Sequence, residues 1–201
     1  MIKIIIFDFD GVILDNYELH YSFIQKQITN ITREEHRRLF DGNINVEREK
    51  LSHRNTGYDI KKHFSDAKLE TVIDSEVKVI LKSLSEKYML GIITSAREYG
   101  VKGCLEYNRL SKYFSFIYGY ETGTLKKDKF KKVFAEHAVS PNKCIFVADT
   151  VGDILEAREV GVETIAVDFG YHNKERLSKV NPLAIASNFS EVSQIVSKIR
   201  V

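Results

Sequence analysis

Short apolar runs separated by stretches of helical period organise most of the chain. Residues 2–7 are almost continuously apolar and β-branched, which suits a strand buried on both faces of a parallel sheet better than an alternating surface strand. Comparable runs recur at 89–94, 114–118, 144–148 and 162–167. Between them, Val101, Cys104 and Leu105, then Phe130, Val133, Phe134, His137 and Ala138, then Ile154, Leu155, Ala157 and Val160 fall at helical spacing. Strand alternating with helix predicts an α/β fold with a doubly wound parallel sheet. A last helix, with Ser190 as its N-cap and Val192, Ile195, Val196 and Ile199 on one face, is expected to pack on that sheet.

Residues from about 16 to 70 interrupt this rhythm. They are rich in His, Arg, Lys, Glu and Asn and hold no strand-like run, so they read as a small helical insertion with turns at Gly42 and Gly57. The insertion is expected to end in a helix with Ile73, Val77, Ile80 and Leu84 on its apolar face. The expected division is 1–15 and 81–201 for the α/β core and 16–80 for the insertion.

A length of 201 residues fits one domain plus a modest insertion. Thirty Lys and Arg against 28 Asp and Glu leave a net charge of +2, scattered in mixed clusters with no basic stripe, so no nucleic-acid partner is expected. The two cysteines, Cys104 and Cys144, have neither zinc-ligand nor redox-pair spacing, and a reducing cytoplasm is the expected compartment. The apolar start of the chain is too short for a signal segment, and no stretch approaches the roughly 20 apolar residues of a membrane span. A cytoplasmic protein, monomeric or weakly dimeric, is the expectation.

Chemistry concentrates where strands end. Asp8-Phe9-Asp10-Gly11 follows the first strand, placing two carboxylates at the edge where open α/β sheets bind ligands, and Gly11 lets the chain turn away. Thr94 and Ser95 end the second strand with hydroxyls and backbone N–H groups. Lys126, Lys127 and Lys129 open a helix, although the macrodipole there favours anions. Asp149-Thr150-Val151-Gly152-Asp153 follows the fourth strand and offers two more carboxylates to a hard cation. Each feature alone has an ordinary structural explanation, as an acidic turn, a cap or a solvated face. Four together point to one site.

In order, Asp8-Phe9-Asp10-Gly11-Val12, Ile92-Ile93-Thr94-Ser95, Lys126, and Val147-Ala148-Asp149-Thr150-Val151-Gly152-Asp153-Ile154 resemble the four motifs of the haloacid dehalogenase-like superfamily in its phosphatase branch. The run 156–162 and Phe169-Gly170-Tyr171 further resemble phosphoglycolate-phosphatase-like members. The resemblance implies a Rossmann-like core with a helical cap, and Mg²⁺-dependent hydrolysis of a small phosphorylated substrate. It implies Asp8 as nucleophile, Asp10 as acid and base, and Gly11, Thr94, Ser95 and Lys126 around the phosphoryl oxygens. Asp8, the Asp10 carbonyl and Asp149 would ligate the metal, with Asp153 in support. Val12, Lys127 and Ala148 depart from the family's usual Thr, Pro and Gly, and the second departure leaves Lys126 and Lys127 both open as the motif lysine.

The insertion stands where that family places its cap, so Asn16, Tyr17 and His20 near the hinge could face the pocket, and Arg48, Arg54 and Lys61 could meet a distal anion on the substrate. A true haloacid dehalogenase is disfavoured, since Asp10 and Asp149 would have no purpose. A β-phosphoglucomutase-like phosphomutase is the nearer alternative, through Asp8 to Ile13, Asp15 and His20. A non-enzymatic phosphate-binding module, such as a receiver, would carry its phosphoacceptor after the third strand, where Gly119-Tyr120-Glu121 supplies none.

Overall fold

In the computed structural model, which describes residues 1–199, six parallel strands form one sheet in the order β3-β2-β1-β4-β5-β6. The chain runs β1 (Ile4–Phe7), α1 (Tyr17–Gln27), α2 (Arg33–Arg38), α3 (Ile44–Glu49), α4 (Ile60–Lys68) and α5 (Ser75–Ser85). It continues through β2 (Met89–Ile93), α6 (Glu98–Tyr107), β3 (Phe114–Tyr118), α7 (Lys126–Glu136), β4 (Cys144–Ala148) and α8 (Val151–Glu159). The last elements are β5 (Glu163–Val167), α9 (Lys174–Ser178), β6 (Ala184–Ala186) and α10 (Phe189–Lys198).

The central strand explains the layering. β1 pairs with β2 through Ile4 opposite Met89 and with β4 through Ile4 opposite Cys144, and its side chains alternate between two cores. Ile5 and Phe7 join the residues of α5, α6 and α10, whereas Ile4 and Ile6 pack with Phe130 and Val133 of α7 and Ala157 of α8. All four β1 residues are buried, so the run is apolar on both faces, as a doubly wound sheet requires.

Two sequence expectations need correction, and one strand was not expected at all. The helix carrying Val77 and Leu84 does not belong with the insertion. α5 buries Val77, Leu81 and Leu84 in the main core and packs against α10, so the insertion ends near residue 70. α10 is capped by Asn188, whose side chain accepts from the Glu191 amide at 2.9 Å, with Ser190 already inside the helix. β6 escapes a pattern search because its three residues are too few to show a period.

The insertion has its own small core of Ile24, Ile28, Ile31, Leu39, Ile44, Ile60 and Phe64. Helices as short as α2 and α3, six residues each, are marginal alone, so this burial and the Thr32–Glu35 capping box hold them. The insertion is clasped to α8 and α9 of the core by polar contacts at its loops. The Phe40 carbonyl accepts from the Gly152 amide at 2.8 Å, Asn43 donates to Glu156 at 2.7 Å, and Arg176 forks onto Asp41 at 2.7 and 2.6 Å.

At Gly152 the two parts approach backbone to backbone. A Cβ there would stand well inside contact distance of the Gly42 backbone, which cannot swing aside as a side chain can. Gly152→Ala is therefore expected to cost about 1–3 kcal/mol in urea unfolding. Unchanged stability would mean that the cap does not sit this close in solution.

Candidate active site

A cavity of about 70 Å³ lies between the cap and the carboxyl ends of the strands, lined by Asp8, Asp10, Thr94, Ser95, Lys126, Asp149 and Asp153. Every strand-end feature singled out in the sequence reaches it. β1 delivers Asp8, and Gly11 then takes a positive φ of 80°, where an added Cβ would collide with the Asp149 carboxylate. β2 delivers Thr94, which is buried, and Ser95, which is partly exposed. β4 delivers Asp149. The first turn of α8, capped by Thr150, presents Asp153.

The lysine question has a geometric answer. Lys126 is buried with its Nζ 2.8 Å from Asp8 Oδ2 and 2.7 Å from Asp153 Oδ1, whereas Lys127 points outward to Glu159 at 2.8 Å. A cation at a helix N-terminus opposes the macrodipole, and here the two carboxylates compensate it. Burial alone would push Lys126 down, but Asp153 and Asp8 outweigh burial and hold it above the usual lysine range. Asp8 responds in the opposite sense. Burial raises it to about 6, with the Asp153 charge adding and the Lys126 charge opposing. Asp149 is raised too, by burial first and then by Asp8.

Four further residues surround these groups, and of them only Lys68 was not singled out in the sequence. Lys68, the last residue of α4, is fully buried with its Nζ 2.9 and 3.0 Å from the two Asp10 oxygens, so the cap supplies the cation facing Asp10. Asn16 donates to the same carboxylate at 2.6 Å and accepts from the Tyr171 hydroxyl at 3.2 Å. The Tyr171 amide in turn donates to Asp149 Oδ2 at 2.7 Å. Lys129, also buried, donates to the Thr94 carbonyl at 2.6 Å, and burial followed by the Lys126 charge lowers it to about 8. Of the hinge residues, His20 lines the cavity and Asn16 touches Asp10, while Tyr17 packs edge-on against Tyr171. Arg54 does not reach the site, because Glu35 holds it at 2.8 Å.

A family model described as "Haloacid dehalogenase-like hydrolase" matches residues 5–167. The chain belongs to this family. Among curated relatives of this haloacid dehalogenase-like chain, the phosphoglycolate phosphatase of Vibrio parahaemolyticus is 26% identical over 60% of this chain and 55% of its own length. That of Mesorhizobium japonicum is 23% identical over 94% of this chain and 92% of its own. The chain thus spans about half the length of the first and nearly all of the second. A haloacid dehalogenase-like family protein from Streptococcus pneumoniae superposes with a TM-score of 0.79 at 22% identity, covering 97% of this chain and 98% of that one. A hydrolase from Pseudomonas syringae gives a TM-score of 0.82 at 15% identity, covering 99% and 100%. Both share the fold. No helix among the described residues is long and apolar enough to cross a membrane.

The donor set suits a hard divalent cation. Asp8, Asp149 and Asp153 each offer an oxygen within 4.8 Å of the others, and Asp149 Oδ1 is buried with no hydrogen-bond partner among the described residues. Carboxylates raised in the folded state contribute stability that is complete below the unfolded pKa and is lost as pH rises through the folded value. In chelator, Asp8 therefore loses its contribution between about pH 4 and pH 6, and a cation that binds the ionised form restores stability above that window. Millimolar Mg²⁺ is expected to raise Tm more at about pH 7.5 than at about pH 5. The same Tm gain at both pH values, or none, would contradict a cation site built from these carboxylates.

Proposed function

We propose that the chain is a Mg²⁺-dependent phosphatase that hydrolyses a small phosphomonoester through an aspartyl-phosphate on Asp8. The observation that carries this reading is the pairing of buried Asp8 with buried Lys126 at a cavity that Thr94, Asp149 and Asp153 also line. The relatives named phosphoglycolate phosphatase support a hydrolase over a phosphomutase. The hydrolase family model and the same relatives support an enzyme over a binding module.

Asp8 attacks phosphorus, and Lys126, Thr94 and the Ser95 backbone neutralise and orient the phosphoryl oxygens. Asp8, Asp149 and the Asp10 main-chain carbonyl would hold Mg²⁺, with Asp153 in support. When bound, the ion supplies charge neutralisation that lets an anionic nucleophile approach an anionic ester. The Asp10 carboxylate faces away from that cluster, toward Lys68 and Asn16. There it is available to protonate the leaving oxygen and then to activate the water that releases phosphate. The cavity is small. It is lined from both the core and the cap, which suits a small ester held between them.

The two carboxylates of the first motif should behave differently when neutralised. Asp8→Asn is expected to abolish turnover of p-nitrophenyl phosphate, because an amide cannot attack phosphorus at a useful rate. Asp10→Asn should lose roughly 10²- to 10⁴-fold, and its loss in the first step should be smaller for p-nitrophenyl phosphate than for an alkyl phosphate, whose leaving oxygen needs the proton. Wild-type turnover by Asp8→Asn would overturn the assignment.

A further inference from the structure

Above the carboxylates, the same cavity is lined by Arg48 of α3, Lys61 of α4 and Arg97 from the segment between β2 and α6. None of the three forms a salt bridge with a carboxylate among the described residues. The Nε atoms of Arg48 and Arg97 are buried with no hydrogen-bond partner among those residues, and the Lys61 Nζ lies 3.5 Å above the Tyr120 ring centroid. Burial lowers Arg48 to about 10 against the opposing pull of Tyr120, and burial also lowers Lys61, with Arg48 and Arg97 adding smaller repulsions.

Several arginines elsewhere on the cap and its seat are paired with carboxylates. Arg33 pairs with Glu18, Arg54 with Glu35, and Arg176 with Asp41. The acidic residues of the cavity have other partners, apart from Asp149 Oδ1, which is buried with none among the described residues. Asp8 and Asp153 are engaged by Lys126, Asp10 by Lys68, and Glu156 accepts from Asn43. Three like charges gathered around buried, unsatisfied donors are costly, and an anion placed among them removes both the repulsion and the orphaned N–H groups.

We propose that Arg48, Lys61 and Arg97 form a second anion subsite, so that the substrate is a short phosphomonoester carrying another anionic group, a carboxylate or a second phosphate. The proposal rests on the phosphatase reading of Asp8 and adds the chemical class of its substrate. Two of the cations belong to the cap and one to the core. The second anion therefore ties the cap to the sheet when substrate is bound, and without it the cations repel one another across the same gap. Because the trio lines the same cavity as Asp8, the spacer between the two anions is short.

The test compares kcat/KM within matched pairs that differ only in the distal group. 2-Phosphoglycolate is set against 2-hydroxyethyl phosphate, and propane-1,3-diol bisphosphate against 3-hydroxypropyl phosphate. At least one dianionic partner is expected to be preferred by about tenfold or more, and the pair with the larger ratio identifies carboxylate or phosphate. That ratio should fall about tenfold in Arg97→Gln and in Arg48→Gln, and Arg48→Lys should recover part of it. Ratios near one for both pairs in the wild-type enzyme overturn the subsite, as do ratios unchanged in both glutamine variants. Hydrolysis of p-nitrophenyl phosphate separates the two levels of the claim. With that activity present and no preference, only the subsite falls; with no hydrolysis of any ester, the phosphatase reading falls and the subsite with it.

Discussion

Keeping several ionised groups buried at the ends of β1 and β4 is the constraint on which the rest of the molecule depends. Asp8, Asp149 and Asp153 are crowded within reach of one another, and Lys126 alone among the described side chains forms ion pairs with two of them. Desolvated carboxylates at this spacing repel, which is why Asp8 and Asp149 are pushed toward protonation and Lys126 is held charged. Such a cluster is costly for an empty fold. It becomes favourable when a cation and a phosphoryl group occupy it, and that difference is the basis for reading it as a phosphoryl-transfer site.

The fold supplies rigidity where the charges stand. β1 lies at the centre of the sheet with a paired strand on either side, so Asp8 is fixed by two hydrogen-bonded neighbours and by cores on both faces. The cap acts at the opposite side of the cavity. Through Lys68 it supplies the counter-charge of Asp10, and through Arg48 and Lys61 it presents cations above the site. Cap position and the environment of Asp10 are thereby linked by a side chain at the end of α4. Residues that line the cavity come from both parts, although only the core carries the carboxylate cluster.

What the sequence revealed and what it withheld follow from the range of the interactions concerned. Asp8, Thr94, Lys126 and Asp149 were recognisable because each sits at a strand end or helix start that local periodicity defines, and the sheet then gathers those positions at one edge. The choice between Lys126 and Lys127 was invisible, since it depends on the rotation of α7 about its axis against β1. Lys68 reaches the site only through packing of the cap on the core, and the side-chain contacts of Asn16 and Arg97 depend on the same long-range packing, which no local pattern encodes. α5 has a clear helical period, yet periodicity cannot say which of two cores its apolar face covers. Arg54 was a candidate for the pocket through its charge and its place in the insertion, and a neighbouring Glu35 claims it. The family membership of the chain agrees with the motif reading and does not extend to these long-range contacts.

The central claim is that Asp8 forms a covalent bond to phosphorus, and the most direct measurement is acid quenching of the Asp10→Asn enzyme during turnover, followed by peptide mass mapping. Slowed release of phosphate should leave one additional phosphoryl group on the peptide that contains Asp8, labile to hydroxylamine as an acyl phosphate is. A phosphoryl group on any other residue, or steady release of phosphate with the Asp8 peptide unmodified throughout, would contradict the mechanism.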